Sequence, residues 1–216
     1  MKALIDGPAG VLEADVLDGS AAAGPFAVVC HPHPLMGGTM DNKVVTTTAR
    51  ALQSAGMPVI RFNFRGVGAS AGTWDGGAGE TLDALGVARW GQERWPGRAL
   101  VIAGFSFGAW VALRAAQQLP VARLITVAPP VGRFDFTSLT APDAPWLIVQ
   151  GEADEVVDAA AVRSWAESMP ASVRLAMLPG VGHFFHGKLT ELRDLIGQEI
   201  RGDDASKRRP GRELIP

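Results

Sequence analysis

Ser106 stands in the middle of Gly104-Phe105-Ser106-Phe107-Gly108, after the apolar run Ala99 to Ala103 and before the small-residue apolar run Ala109 to Leu113. A serine in G-x-S-x-G between a buried strand and a helix sits on a strained bend that lifts its hydroxyl clear of the sheet. The flanking glycines are required because a Cβ at either would meet a neighbouring strand or the returning helix. The first N–H groups of such a helix, that of Phe107 foremost, point to where negative charge develops on a substrate oxygen. The chemistry on offer is nucleophilic attack on a carbonyl. In a chain with 26 glycines the bare pentapeptide can arise by chance, so the strand-turn-helix setting is what gives the motif weight.

A serine hydroxyl needs a base, and the base needs an orienting carboxylate. Only four histidines are present: His31, His33, His183 and His186. In Pro179-Gly180-Val181-Gly182-His183 the glycines let a loop carry His183 back over a sheet, whereas His186 falls at the start of the next helix. His183 is therefore the candidate base. The acid is expected after another strand and before that histidine, and Gly151-Glu152-Ala153-Asp154-Glu155-Val156-Val157 supplies three carboxylates. Asp154 is the best placed, because a turn after Gly151 aims it at the serine while Val156 and Val157 return to the core. Glu152 and Glu155 are expected to be solvated. The order is Ser106, Asp154, His183.

Two rival readings use the same residues. His31-x-His33 and His183-x-x-His186 put four imidazoles on two loops, which suits a histidine-ligated metal hydrolase. No obvious carboxylate accompanies the H-x-H pair, and Pro32 and Pro34 restrict how the rings converge, so no metal site and no cofactor are expected. A non-enzymatic binding protein on the same framework is the other alternative, since fold does not fix function.

The elements that must position these residues alternate. Residues 2–18 read as a hairpin turned at Gly7-Pro8. Phe26 to Cys30 is an unalternated apolar run of the kind buried in a parallel sheet. It ends at His31-Pro32-His33-Pro34-Leu35-Met36, a loop whose prolines exclude a helix. A helix capped by Asp41 or Asn42 runs to Gln53, followed by a strand from Pro58 to Phe64 and a helix from Thr81 to Arg94. After Ser106 come a helix to Leu119, strands Val121 to Val127 and Trp146 to Gln150, a helix from Asp158 to Met169, a strand from Val173 to Leu178 and a helix from Lys188 to Ile200. Such alternation predicts an α/β fold: a mostly parallel twisted sheet with helices on both faces, led by an antiparallel hairpin. Ligands bind such sheets where loops leave the carboxyl ends of the strands. The loop from Ala128 to Pro145, about eighteen residues, is too short to fold as a lid.

One domain over residues 1–201 fits the length of 216 and the 47% hydrophobic content, and the basic, polar segment 202–216 reads as a disordered tail. A net charge of −2 favours neither nucleic acid nor an anionic membrane as partner. The lone Cys30 has no partner for a disulfide and fits a packing role in a reducing compartment. No apolar run approaches a transmembrane length, and the first residues lack a signal peptide's apolar core. A cytoplasmic protein acting on a small molecule is the expectation.

Taken together, the chain resembles the α/β-hydrolase-fold serine hydrolases over residues 2–200. HPHPLMGGTMDNKVV, RFNFRGVGAS, GFSFGAW and GHFFHG are similar to segments of the small, lidless bacterial members. The resemblance implies cleavage of an ester or thioester through an acyl-enzyme on Ser106, with Asp154 and His183. It places His31-Pro32-His33 where the family carries its His-Gly-x oxyanion loop. Proline has no N–H, so the second oxyanion donor beside Phe107 is assigned to His33, with Leu35 as the alternative. Asn63 replaces the usual aspartate of D-x-R-G-x-G-x-S, which should alter only loop anchoring. Leu35, Met36, Val131, Phe134 and Phe184, with Phe107, are candidates for an acyl pocket; loop packing is their alternative role.

Overall fold

The computed structural model describes residues 1–207 and contains one eight-stranded sheet. The strands are β1 (Lys2–Gly7), β2 (Gly10–Leu17), β3 (Phe26–Cys30), β4 (Val59–Phe62), β5 (Leu100–Phe105), β6 (Arg123–Val127), β7 (Trp146–Gly151) and β8 (Val173–Leu178). Their spatial order is β1-β2-β4-β3-β5-β6-β7-β8. β1 and β2 form the expected antiparallel hairpin and β2 joins β4 antiparallel; every later pair is parallel. The residues explain the difference. β2 alternates buried and partly exposed side chains, whereas β3, β4, β5, β6 and β7 are buried at every position and so need cover on both faces.

That cover comes from five helices: α1 (Lys43–Ser54), α2 (Ala78–Arg94), α3 (Phe107–Ala116), α4 (Ala159–Glu167) and α5 (Leu189–Lys207). α1 and α5 share one core with Val29, Phe105 and Val149 of the sheet. α2, α3 and α4 share the other with Phe26, Ile102 and Trp146. Cys30 is fully buried in this second core as a free thiol, and burial pushes its pKa far up, leaving it a packing residue. Between β6 and β7 the chain forms only an isolated bridge, Val131 to Phe134, with no lid. Among the described residues no helix is long and apolar enough to cross a membrane.

Several boundaries differ from expectation: α3 ends at Ala116, short of Leu119, β6 starts at Arg123, past Val121, β4 ends at Phe62, short of Phe64, and α4 ends at Glu167, short of Met169. α2 starts at Ala78, ahead of Thr81, because the Glu80 carboxylate accepts the Gly77 N–H at 2.7 Å and Thr81 Oγ1 donates to the Gly77 carbonyl at 2.7 Å. Pro34 to Met36 makes a single 3₁₀ turn inside the segment expected to be non-helical. Proline is tolerated at the first position of a helical turn, where its missing N–H would have had no partner. α5 continues to Lys207, past the expected end at Ile200. The rest of the expected tail, 208–216, lies outside the described residues.

Candidate active site

The site grows from β5, the strand held between β3 and β6. At its end the chain reverses into α3 with Ser106 at φ 53° and ψ −121°, a conformation that L residues avoid. The Ser106 N–H donates to the Val127 carbonyl at 2.8 Å, tying the bend to the adjacent strand. A Cβ on Gly104 would come within 2.0 Å of the Gly108 carbonyl oxygen. One on Gly108 would come within 2.4 Å of the Cys30 oxygen and 2.5 Å of the His31 oxygen. Only glycine allows the turn to pass this close to β3. Strain of this kind costs about 1–3 kcal/mol and persists where surrounding structure imposes it.

β7, beside β6, and β8, beside β7, deliver two further groups. His183 lies 3% exposed, its Nε2 3.1 Å from Ser106 Oγ and its Nδ1 2.9 Å from Asp154 Oδ2. Since a carboxylate only accepts, Nδ1 carries the proton and Nε2 is left to accept from the serine. Asp154 Oδ1 also accepts the Val156 and Val157 N–H groups at 2.8 and 2.7 Å, and Oδ2 accepts from Gln150 Nε2 at 2.9 Å. Burial alone would raise the Asp154 pKa, but the His183 hydrogen bond, those two N–H groups and the imidazole's charge outweigh it and hold the group ionised, below its ordinary value.

The other two carboxylates of this turn have separate partners. Glu152 forms an exposed ion pair with Arg163 at 3.1 Å. Glu155 was expected to be only solvated, yet its Oε2 accepts the His183 backbone N–H at 3.1 Å, which anchors the histidine loop and lowers the Glu155 pKa. His186 is exposed and stacks on Phe184, ring centroids 6.0 Å apart, and it is His183 that reaches the hydroxyl of Ser106.

On the other side of Ser106 lies the loop after β3. His31 is fully buried; its Nε2 accepts the Phe64 N–H at 3.0 Å and its Nδ1 donates to the Pro32 carbonyl at 2.6 Å. Burial, only partly opposed by the Pro32 contact, pushes its pKa down to about 4. His33 stacks on Trp74 with centroids 4.6 Å apart and tilts against Phe107 at 5.2 Å. Burial lowers its pKa too, against the opposing charge of Glu80. Both ring nitrogens of His31 and of His183 are engaged within the protein, so neither imidazole has a free lone pair for a metal. Among the described residues no group of three His, Cys, Asp or Glu is arranged to hold an ion.

Among the described residues the backbone N–H groups of Phe107 and His33 have no protein acceptor. Both residues line a cavity of about 690 Å³ that opens on Ser106 and His183. Of the acyl-pocket candidates, Met36, Phe134 and Phe184 also line it. Leu35 and Val131 do not. Leu35 projects from the 3₁₀ turn, 67% exposed, and Val131 is partly buried against the core that α2, α3 and α4 share, so neither fits the pocket role expected of them. Asn42 and Arg133 line the cavity unforeseen. Asn42 does so as the cap of α1, accepting the Val44 N–H at 2.8 Å. Asn63 ties loops together, accepting the Met40 N–H at 2.8 Å and donating to Glu13 at 2.8 Å.

Comparison with known proteins agrees with this architecture. A model of the alpha/beta hydrolase domain matches residues 28–194. An uncharacterized protein of Rickettsia prowazekii is 35% identical over 205 residues, which span 90% of this chain and 86% of that protein. Among solved structures, an a/b serine hydrolase without lid from Xanthomonas campestris is 45% identical over 94% of each chain, with a TM-score of 0.87. An alpha-beta serine hydrolase homologue from Coxiella burnetii is 46% identical, covering 92% of this chain and 96% of that one, with a TM-score of 0.89.

Proposed function

The chain belongs to the alpha/beta hydrolase family, and from that membership and the geometry above we propose that it is a serine hydrolase that cleaves a small-molecule carboxylic ester or thioester. The observation that carries the reading is the hydrogen-bonded line Ser106, His183, Asp154 beside two unengaged N–H groups. In the proposed reaction His183 Nε2 takes the Ser106 proton as Oγ bonds to the substrate carbonyl carbon. The resulting oxyanion accepts from the Phe107 and His33 N–H groups. Removing one donor of this kind costs about 3–4 kcal/mol in the barrier. The intermediate collapses, His183 gives its proton to the departing alcohol or thiol, and the acyl group stays on Ser106. Water then attacks the acyl carbon as His183 accepts its proton; this second intermediate collapses, the Ser106 Oγ–carbon bond breaks as His183 returns the proton to Oγ, and the acid leaves. Asp154, kept anionic, stabilises the imidazolium at each stage without taking its proton.

This assignment uses no cofactor, and the reducing compartment suggested by a single buried cysteine is consistent with action in the cytoplasm. A fluorophosphonate should label the wild-type protein on Ser106 and leave Ser106→Ala unlabelled, with ester turnover falling by several orders of magnitude in the same variant. Turnover that survives Ser106→Ala would overturn the proposal. A panel of aryl esters of increasing acyl length would define the preferred chain.

A further inference from the structure

The cavity beside Ser106 holds one fixed charge. Arg133 is the single lysine, arginine, aspartate or glutamate in its lining. Among the described residues its guanidinium has no hydrogen bond or ion pair. The carboxylate nearest along the chain, Asp135, is already taken: Oδ1 accepts the Thr137 N–H at 2.9 Å and the Thr137 hydroxyl at 2.7 Å, and Oδ2 accepts the Ser138 hydroxyl at 2.8 Å. The segment that carries Arg133 is anchored. Its N–H donates to the Pro130 carbonyl at 3.1 Å, and the adjacent Phe134 ring packs on Trp110 and Phe107, with centroids 4.7 and 5.4 Å apart. In the same lining, Asn42 spends its side-chain oxygen on the α1 cap, and among the described residues its amide donor has no partner. The charged and amide side chains of the lining, Arg133 exposed and Asn42 partly buried, thus present donors and no carboxylate beside largely apolar walls.

A guanidinium without a partner is suited to bind a carboxylate through two parallel hydrogen bonds. We infer that Arg133 selects esters that carry an anionic group, a half-ester of a linear dicarboxylic acid being the simplest case. The inference rests on the serine-hydrolase reading and adds to it the charge of the substrate.

The test compares aryl esters of hexanoic, adipic and 6-aminohexanoic acids, matched in length and differing in terminal charge. A second pair, the hexanoates of 4-hydroxybenzoate and 4-hydroxybenzamide, moves the charge to the alcohol side. In at least one set the anionic ester should exceed its neutral partner in kcat/KM by about five- to tenfold, with the aminohexanoate ester below both. That ratio should fall toward one in Arg133→Gln, be largely kept in Arg133→Lys, and shrink with added salt. Equal rates for anionic and neutral esters, with Ser106 still labelled by the fluorophosphonate, would overturn this inference and leave the hydrolase reading standing. An anionic preference that persists in Arg133→Gln would also overturn it. Absence of both labelling and turnover would overturn the hydrolase reading and this inference with it.

Discussion

His31 donates from Nδ1 to the carbonyl of its own neighbour, Pro32, at 2.6 Å, and this bond sets the direction of the next N–H along the chain. No cis peptide occurs in the described chain. In a trans peptide the C=O of Pro32 and the N–H of His33 point in opposite directions. Holding that carbonyl against the buried imidazole therefore turns the His33 N–H the other way. The imidazole is itself fixed by the Phe64 N–H on Nε2 at 3.0 Å. The segment just past β4 thus reaches the loop after β3 through one neutral histidine.

The bond makes a pH prediction. An unfolded histidine takes up its proton near 6.5, whereas His31 in the folded protein does so only near about 4. Between those values the unfolded chain binds more protons, so the stability contributed by neutral His31 is present above about pH 6.5 and lost as pH falls toward 4. The loss should reach about 2–3 kcal/mol. Urea unfolding of wild type and His31→Gln at pH 7 and pH 4.5 would check it: the wild type should lose more stability between the two. In ester assays at pH 7, His31→Ala should lower kcat by about 10²-fold, the scale of one misplaced oxyanion donor.

The three carboxylates of the β7 turn should separate sharply. Asp154→Asn should cut turnover by about 10⁴-fold with little change in substrate binding, since an amide neither stabilises the imidazolium nor enforces the tautomer. Glu155→Gln keeps an oxygen for the His183 N–H and should lose less than about tenfold, on the scale of one weakened hydrogen bond. Glu152→Gln, which breaks only an exposed ion pair, should be near wild type. Steady-state kinetics of the three variants decide the matter, and the ranking is reversed if Glu155 is the orienting acid.

His183→Ala should abolish turnover, whereas His186→Ala should keep much of it. The rate should fall on the acid side as the base takes up a proton, and that limb should be present in His186→Ala. Loss of the limb in His186→Ala, or near-normal turnover in His183→Ala, would show that the base is elsewhere.

Two glycine replacements should differ in cost. Gly108→Ala forces a Cβ to within 2.4 Å of the Cys30 backbone and should destabilise by at least about 1–3 kcal/mol, with activity lost as the elbow shifts. Gly180→Ala meets no neighbouring atom, its only burden being φ +67°, and should cost about 1 kcal/mol. Thermal unfolding of both variants gives the comparison.

What the sequence determined by itself is local. Ser106 is legible because the glycines on either side and the apolar runs beyond them encode the turn within a few residues. The sheet is legible because strands buried on both faces lose alternation, as β3 and β5 do, while β2 of the antiparallel hairpin keeps it. His183 is legible because few histidines exist and this one follows a strand through glycines. Tertiary structure decided whatever depends on direction across long separations. Glu152, Asp154 and Glu155 lie within four positions of one another, and only the folded turn sends Asp154 toward the imidazole and Glu155 toward the backbone of the same residue. Sequence register favours the N–H of His33 over that of Leu35, but only the folded His31 contact to Pro32 fixes the direction of the one at His33. Arg133 stands in a loop without periodicity, and nothing local marks it as a wall of the cavity. Backbone turns are written in neighbouring residues, but the partners of a side chain are chosen by the whole fold.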